Sequence, residues 1–109
     1  MFDPDRVLYR QAAVITAEEC GPDNLARADA LTGRVVRALV EAGGAGIDPV
    51  PLMVNVEFSA APCTGQSVEA RVEKIRRTGS MLFLRGVLTG DGGTLVSFSA
   101  VMKRRGAKE

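Results

Sequence analysis

The 109-residue sequence contains no histidine, and only two of its residues are cysteines. Without an imidazole, the chain has no Ser-His or Cys-His nucleophile pair, no imidazole general base and no histidine-rich metal site. Cys20 and Cys63 lie far apart and lack the paired spacing of zinc ligands, so we expect two free thiols and no bound metal. Any chemistry must therefore use carboxylates, hydroxyls, thiols, lysines or backbone dipoles.

Long apolar runs and a strong bias of charge are missing too. No apolar stretch approaches the length of a membrane span, and Asp3 and Asp5 stand where a signal peptide carries basic residues. The 14 basic and 13 acidic residues leave a net charge of +1, and the short basic tail at residues 103–109 contains no aromatic residue. We therefore expect a cytoplasmic protein that binds neither membranes nor nucleic acid.

The residues that are present suit one globular domain. Apolar residues make up 46% of the sequence, and a chain of this length forms a single domain, here residues 1–109. Strands are predicted where apolar or β-branched residues alternate with polar ones or cluster, and a helix where they follow a 3.6-residue period. The predicted strands cover residues 7–15, 52–58, 68–77, 81–89 and 94–103, and the predicted helix covers residues 25–42.

Short turns join the last four predicted strands, and the clearest is the glycine-rich turn at residues 90–93. Such connections favour a mostly antiparallel sheet with the helix packed on one face. One helix cannot cover both faces of five strands, so another chain has to meet the second face or an edge. We therefore expect the chain to associate with itself, as a homodimer or a homotetramer.

One acid of the predicted helix occupies an unusual position. At about 100° per residue, Asp29 lies about 200° from Arg27, at the edge of the apolar face, and Gly33 leaves room for close approach one turn later. Burying a carboxylate costs several kcal/mol, so three interpretations stay open. Asp29 is bonded by a backbone amide or by an arginine of a partner chain, or the helix is rotated so that Asp29 is exposed to solvent, or Asp29 is held in a groove for chemistry. The predicted wet stripe contains Arg27, Arg34 and Glu41; the side predicted to face the sheet contains Leu25, Leu31, Val35, Val36 and Leu39.

Four stretches, taken in order, resemble a known superfamily. They are residues 28–33 (ADALTG), residues 54–66 (VNVEFSAAPCTGQ), and the two turns at residues 76–80 (RRTGS) and 90–93 (GDGG). The pattern is similar to the hotdog superfamily, and within it to the phenylacetyl-CoA type of acyl-CoA thioesterase. The resemblance implies an α+β hotdog fold, with one long central helix wrapped by a five-stranded, mostly antiparallel sheet.

The resemblance also implies an active site. The family carries a catalytic acid in an Ala-Asp pair on the central helix, shortly after a His-Gly-Gly loop, and Asp29 falls on that acid. Cys20 stands where the loop histidine is expected, Gly21 keeps one glycine, and Pro22 lacks the amide of the other. The implied function is hydrolysis of an acyl-CoA or acyl-carrier thioester, with Asp29 as base or nucleophile. Coenzyme A enters only as part of the substrate, without a separate cofactor.

Several polar groups are expected around that acid. Backbone amides near Gly21, Asp23 or Asn24 are candidates to hold the oxyanion of the reacting thioester. The side chains of Asn24, Thr32 and Asn55 are candidate substrate contacts, and a partner chain is expected to close the groove. The dehydratases of the same fold depend on histidine, so the composition excludes their mechanism.

A second function stays open at this point. The missing loop histidine, Pro22 and the short chain also suit a non-catalytic hotdog module that binds an acyl ligand or acts as an assembly subunit. Thermal stabilisation by acyl-CoA without release of a thiol distinguishes that module from an enzyme.

Overall fold

The fold consists of one long helix and five strands that form a single sheet. The structure is a computed structural model that describes residues 7–43 and 49–104. Between the first strand and the helix lies a short 3₁₀ turn, Ala17–Glu19. The strands are β1 (Val7–Val14), β2 (Pro49–Phe58), β3 (Ser67–Arg77), β4 (Met81–Gly90) and β5 (Gly93–Arg104), and the helix is α1 (Ala28–Gly43).

The sheet has the order β1-β3-β4-β5-β2, and all four neighbouring pairs are antiparallel. The helix packs across one face, where the alternating apolar residues of the strands point. This arrangement confirms the predicted α+β class. The core on that face is formed chiefly by Leu31, Val35, Leu39, Val72, Leu84, Val96 and Met102.

The glycine-rich turns have the backbone geometry that the sequence predicts. Gly93, at the β4–β5 hairpin, has a φ of 118°, and Gly65, in the turn before β3, has a φ of 85°. Both values are costly for residues with a Cβ atom, which explains glycine at these positions. The predicted glycine-rich end of the helix lies outside the described residues beyond Gly43, as does the basic tail beyond Arg104.

The helix begins three residues later than predicted. Leu25 and Ala26 form isolated β-bridges with Cys63 and Cys20, and Asn24 has a positive φ of 65°. These bonds hold the chain in a loop until Ala28, and Leu25, predicted to face the sheet, is instead exposed outside the helix. Tertiary pairing overrides the helical preference of this segment.

The predicted orientation of the helix is confirmed for Leu31, Val35 and Leu39, which are buried, and for Glu41, which is exposed, but not for Arg34 and Asp29. The exposed stripe contains Asp29, Gly33 and Arg37, whereas Arg34, predicted to be wet, is half-buried. The reason is that the guanidinium of Arg34 turns toward Glu19 in the loop before the helix. Asp29 therefore faces outward in the single chain and does not lie at the edge of the core.

None of the helices in the described part of the chain is long and apolar enough to cross a membrane.

Candidate functional site

The loop between β1 and α1 is fastened to the helix by one ion pair. Arg34 donates from Nε to Glu19 Oε2 at 2.5 Å and from Nη2 to Glu19 Oε1 at 2.6 Å. The same Nη2 also donates to the carbonyl oxygen of Val14 at 3.1 Å. The bonds from Arg34, together with those from Thr16, lower the pKa of Glu19 to about 2, and the bond to Glu19 raises the pKa of Arg34. This pair sets the position of the loop that precedes the candidate acid.

Asp29, the candidate acid, is the second residue of α1, and its side chain is 75% exposed. Its Oδ1 accepts a hydrogen bond of 3.1 Å from Arg27 Nε. No other polar group in the described residues bonds the carboxylate, so Oδ2 is open. The cost of burial therefore does not single out Asp29 as a functional acid. Its place at the start of the helix and its open oxygen are what make it available for chemistry.

Arg27 connects this acid to the preceding loop. Its Nη1 donates to the carbonyl oxygen of Glu18 at 2.7 Å and to that of Cys20 at 3.4 Å, while Nε bonds Asp29. Its backbone is tied as well, since its amide donates to Glu19 O at 2.8 Å. One guanidinium therefore bonds both the loop and the candidate acid.

Two of the amides expected to hold an oxyanion are already used. The amide of Gly21 donates to Leu25 O at 2.9 Å, and the amide of Asn24 donates to Gly21 O at 3.0 Å. These bonds close the tight loop, so neither N–H points to a substrate. The amide of Asp23 has no acceptor in the described part of the chain.

The first turn of α1 supplies other amides. The first intrahelical bond runs from the amide of Leu31 to the carbonyl of Arg27 at 3.0 Å. The amides of Ala28, Asp29 and Ala30 come before that bond and have no acceptor among residues 7–43 and 49–104. Free amides at the start of a helix favour negative charge nearby.

The side chain of Asn24 belongs to a small polar cluster across the loop. Its Oδ1 accepts a bond of 2.6 Å from Thr64 Oγ1, and that hydroxyl oxygen lies 3.2 Å from Cys20 Sγ. Cys20 Sγ also lies 3.5 Å from the carbonyl oxygen of Thr16. Both cysteines are free thiols, as predicted. Cys20 thus helps to hold the loop together, at the position where the family resemblance places histidine.

The other two candidate contacts do not join Asp29 within one chain. Thr32 donates its hydroxyl to the carbonyl oxygen of Ala28 at 2.7 Å, a bond within the helix. Asn55 lies on the opposite face of the sheet, because Val54 and Val56 on either side of it pack on the core. Period-two alternation therefore turns the Asn55 side chain away from α1.

An apolar cleft lies beside the start of the helix. It has a volume of about 240 Å³, and Phe58 on its wall is 48% exposed. This volume is below the roughly 300 Å³ at which small-molecule sites begin. The cleft is lined by Ala26, Ala28, Leu31, Phe58, Ser59, Ala60 and Ala61.

Sequence reasoning missed Arg27 and the Arg34–Glu19 pair as parts of this region. Both arginines were assigned to the solvent because helical angles describe only residues within a helix, whereas the partners of these side chains lie in the loop. No helical spacing predicts the bond of Arg27 to Asp29, because residues two positions apart do not face each other on a helix. In the described residues, no three carboxylate or thiol side chains are grouped closely enough to hold a metal ion.

The order of the strands and the wrapped helix define a hotdog fold, as the sequence predicts. Solved structures that it resembles include proteins related to phenylacetic acid degradation, which confirms the predicted likeness at the level of the fold. No family model matches the sequence, and no curated protein is significantly similar to it.

Three of the similar structures show how far the likeness extends. The Escherichia coli PaaI protein from the phenylacetic acid degradation operon has a TM-score of 0.83 at 14% identity, over 91% of this chain and 73% of that one. The TT0310 protein of Thermus thermophilus has a TM-score of 0.80 at 19% identity, over 95% of this chain and 99% of that one. A hypothetical thioesterase of Streptococcus pneumoniae, solved with coenzyme A, has a TM-score of 0.74 at 13% identity, over 90% and 81%.

Proposed function

We propose that this chain hydrolyses acyl-CoA or acyl-carrier thioesters, with Asp29 as general base or nucleophile. The observation that carries the proposal is the position of Asp29, with an open carboxylate oxygen, in the first turn of the hotdog helix. The apolar cleft at the start of the same helix suits an acyl group, since its walls are alanine, leucine and phenylalanine with one serine, although Asp29 itself does not line it. The streptococcal structure with coenzyme A supports a coenzyme A thioester as the substrate.

As a general base, Asp29 takes a proton from water, and the oxygen of that water adds to the thioester carbonyl carbon. The C–S bond then breaks, and the protonated Asp29 returns its proton to the departing sulfur, which leaves as a thiol. As a nucleophile, Asp29 Oδ2 adds to the same carbon, and water hydrolyses the mixed anhydride after the thiol has left. Rapid quenching and mass spectrometry distinguish the routes, because only the second attaches the acyl group to Asp29.

The carbonyl oxygen becomes negative in either route and requires hydrogen-bond donors. The open amides of Ala28, Asp29 and Ala30, together with that of Asp23, are the donors we propose for it. Gly21 and Asn24 then shape the loop, and Asn24 acts through its bond to Thr64. Thr32 and Asn55 remain proposed substrate contacts, and Asn55 can contribute only from a second chain.

The test is the substitution Asp29→Ala. We expect hydrolysis of acyl-CoA to fall by at least about 100-fold, the usual contribution of a general base, while the folded state persists. Thiol release with short, long and aromatic acyl-CoAs measures the effect. Asp91→Ala is the matched control, because Asp91 is an exposed aspartate in the β4–β5 turn. Unchanged turnover in Asp29→Ala contradicts the assignment.

Self-association is part of the same proposal. β2 is an edge strand that pairs only with β5 in the sheet, and it exposes large apolar side chains. Such an edge favours pairing with another strand. We propose that a second copy pairs along β2 and completes the cleft beside Phe58, as a dimer or within a tetramer. The exposed apolar residues of β2 are Leu52, Met53 and Phe58.

The oligomer can be tested by changing the β2 edge. We expect the paired substitutions Leu52→Lys and Met53→Lys to shift the protein to the monomer in analytical ultracentrifugation and to abolish hydrolysis. The control is the pair Leu8→Lys and Val14→Lys, at the exposed apolar residues of the β1 edge. We expect this pair to leave the mass of the oligomer unchanged. A β2 variant that keeps the wild-type mass contradicts pairing along this edge.

A non-catalytic acyl-binding or assembly module is the second candidate. The bonds that occupy the amides of Gly21 and Asn24, and Cys20 at the position of the loop histidine, favour it. Thermal stabilisation by acyl-CoA without any thiol release is the result that supports it.

We also propose that residues 1–109 form one domain, because all five strands of the described chain share one sheet and one helix. The two free thiols support a reducing, cytoplasmic compartment.

A further inference from the structure

Arg27 bonds both the loop before the helix and the candidate acid. An N-cap residue usually carries an oxygen that accepts a bond from the first turn, whereas Arg27 carries only donors. It is 44% exposed, so its pairing with Asp29 contributes little to stability. Its side chain donates three bonds, two to loop carbonyls and one to a carboxylate. Ordering a flexible, solvent-exposed side chain in this way costs conformational entropy.

We propose that Arg27 is the positioning residue for Asp29; the inference rests on the proposed thioesterase function. The guanidinium is planar, so the bonds from Nη1 to Glu18 O and Cys20 O also fix the direction of Nε. Nε then holds Asp29 Oδ1 at 3.1 Å and leaves Oδ2 as the reacting oxygen. Arg27 acts through Asp29 and does not touch the substrate.

The loop that Arg27 grips is itself held in place by the Arg34–Glu19 pair. Glu18 is directly next to Glu19, so the carbonyl to which Arg27 donates belongs to the clamped 3₁₀ turn. Through Arg27, the carboxylate of Asp29 is therefore held by the 3₁₀ turn, which is itself fixed to the helix. In a chain without histidine, this guanidinium supplies the side-chain cation beside the acid.

The experiment compares Arg27→Gln and Arg27→Lys with wild type in steady-state hydrolysis of the best acyl-CoA substrate. Misplacing a catalytic group by about 1 Å costs up to about 100-fold, so we expect kcat to fall by 10- to 100-fold with KM unchanged. Lys keeps the charge but cannot bond the loop and the acid in one plane, so it is expected to restore little. Tens of millimolar guanidinium added to Arg27→Gln is expected to recover part of kcat.

Controls separate positioning from folding. Arg10→Gln removes another exposed arginine, paired with Glu69 at 3.9 Å, and is expected to leave kcat unchanged. Circular dichroism and thermal melting confirm that each variant is folded, with a Tm within about 4 °C of wild type. If Arg27→Gln unfolds, Arg27→Lys with its kcat and KM decides the question.

The outcomes for the two proposals differ. Loss of hydrolysis in Asp29→Ala with normal kcat in Arg27→Gln leaves the thioesterase intact and overturns the positioning role. A rise in KM without a fall in kcat also overturns it, because Arg27 would then bind substrate directly. Full activity in Arg27→Lys shows that charge alone is sufficient, which contradicts the planar geometry. Absence of any Asp29-dependent hydrolysis overturns both proposals.

Discussion

Glu19 and Asp29 lie on the two sides of one loop–helix junction, and each is bonded to an arginine. The Glu19 side chain is 17% exposed, is bonded through both oxygens, and has a pKa of about 2. Asp29 is 75% exposed and is bonded through one oxygen only. The same pairing of chemical groups therefore produces a structural link in one case and an available acid in the other.

The difference comes from the number of bonds and the degree of burial. Glu19 accepts two bonds from Arg34 and two from Thr16, which hold it in its charged form and occupy most of its acceptor sites. An exposed carboxylate with one open oxygen contributes little to stability but can reach a reactant. We therefore expect substitutions at Glu19 to change stability and substitutions at Asp29 to change activity.

The largest difference is expected between the isosteric substitutions Glu19→Gln and Asp29→Asn. Glu19→Gln removes the charge that Arg34 bonds, so we expect the free energy of unfolding to fall by about 2 kcal/mol. Asp29→Asn is expected to change it by no more than about 0.5 kcal/mol, as at an exposed site. Urea unfolding of both variants measures the contrast, and equal losses of stability refute it.

A smaller effect is expected from Arg34→Lys. The ammonium group keeps the charge but lacks the planar fork that bonds both Glu19 oxygens at once, so we expect a loss of about 1 kcal/mol. Thermal and urea unfolding measure it. Arg37→Lys, on the exposed face of the same helix, serves as the control and is expected to be neutral. A neutral Arg34→Lys shows that the bidentate geometry does not matter.

The pH dependence of stability gives a third distinction. The pKa of Glu19 falls from 4.5 to about 2 on folding, so the folded state favours the charged carboxylate. This stabilisation is fully present above about pH 5 and is lost as the pH falls through 4.5 toward 2. The gap in unfolding free energy between wild type and Glu19→Gln is expected to narrow over that range. A gap that is independent of pH contradicts the role of the Glu19 charge.

The smallest effect is expected near the other end of α1. Tyr9 donates its hydroxyl to Glu41 Oε1 at 3.0 Å, an exposed bond between β1 and the helix. Burial, and then the bond to Glu41, raises the pKa of Tyr9 above its usual 10.0. We expect Tyr9→Phe to cost about 0.5 kcal/mol in urea unfolding, the low end for a net hydrogen bond. If Tyr9→Phe lowers the free energy of unfolding as much as Glu19→Gln does, the exposure of a contact does not determine its contribution to stability.

Much of the fold can be predicted from the sequence because it depends on local pattern. The glycines at positions 65 and 93 and the apolar period of Leu31, Val35 and Leu39 correspond to the structure. The alternation holds for Val54 and Val56 in β2 and for Val68 and Val72 in β3, whereas Leu52 and Phe58 are exposed and Glu73 is buried. The candidate site was less predictable. Asp29 was singled out by its helical angle and then by a family pattern. The angle placed it at the edge of the apolar face, whereas its exposure and its bond to Arg27 depend on where the loop lies.

The sequence by itself determined the class of the fold, the absence of imidazole chemistry and the place of one acid at the start of the long helix. These follow from composition and from short-range periodicity, which act within a few residues. Only the tertiary structure decided that the helix begins at Ala28, that Arg34 turns inward, and that Gly21 and Asn24 use their amides within the loop. Each of those outcomes depends on partners between 3 and about 40 residues away, and helical or strand periodicity carries no information about them.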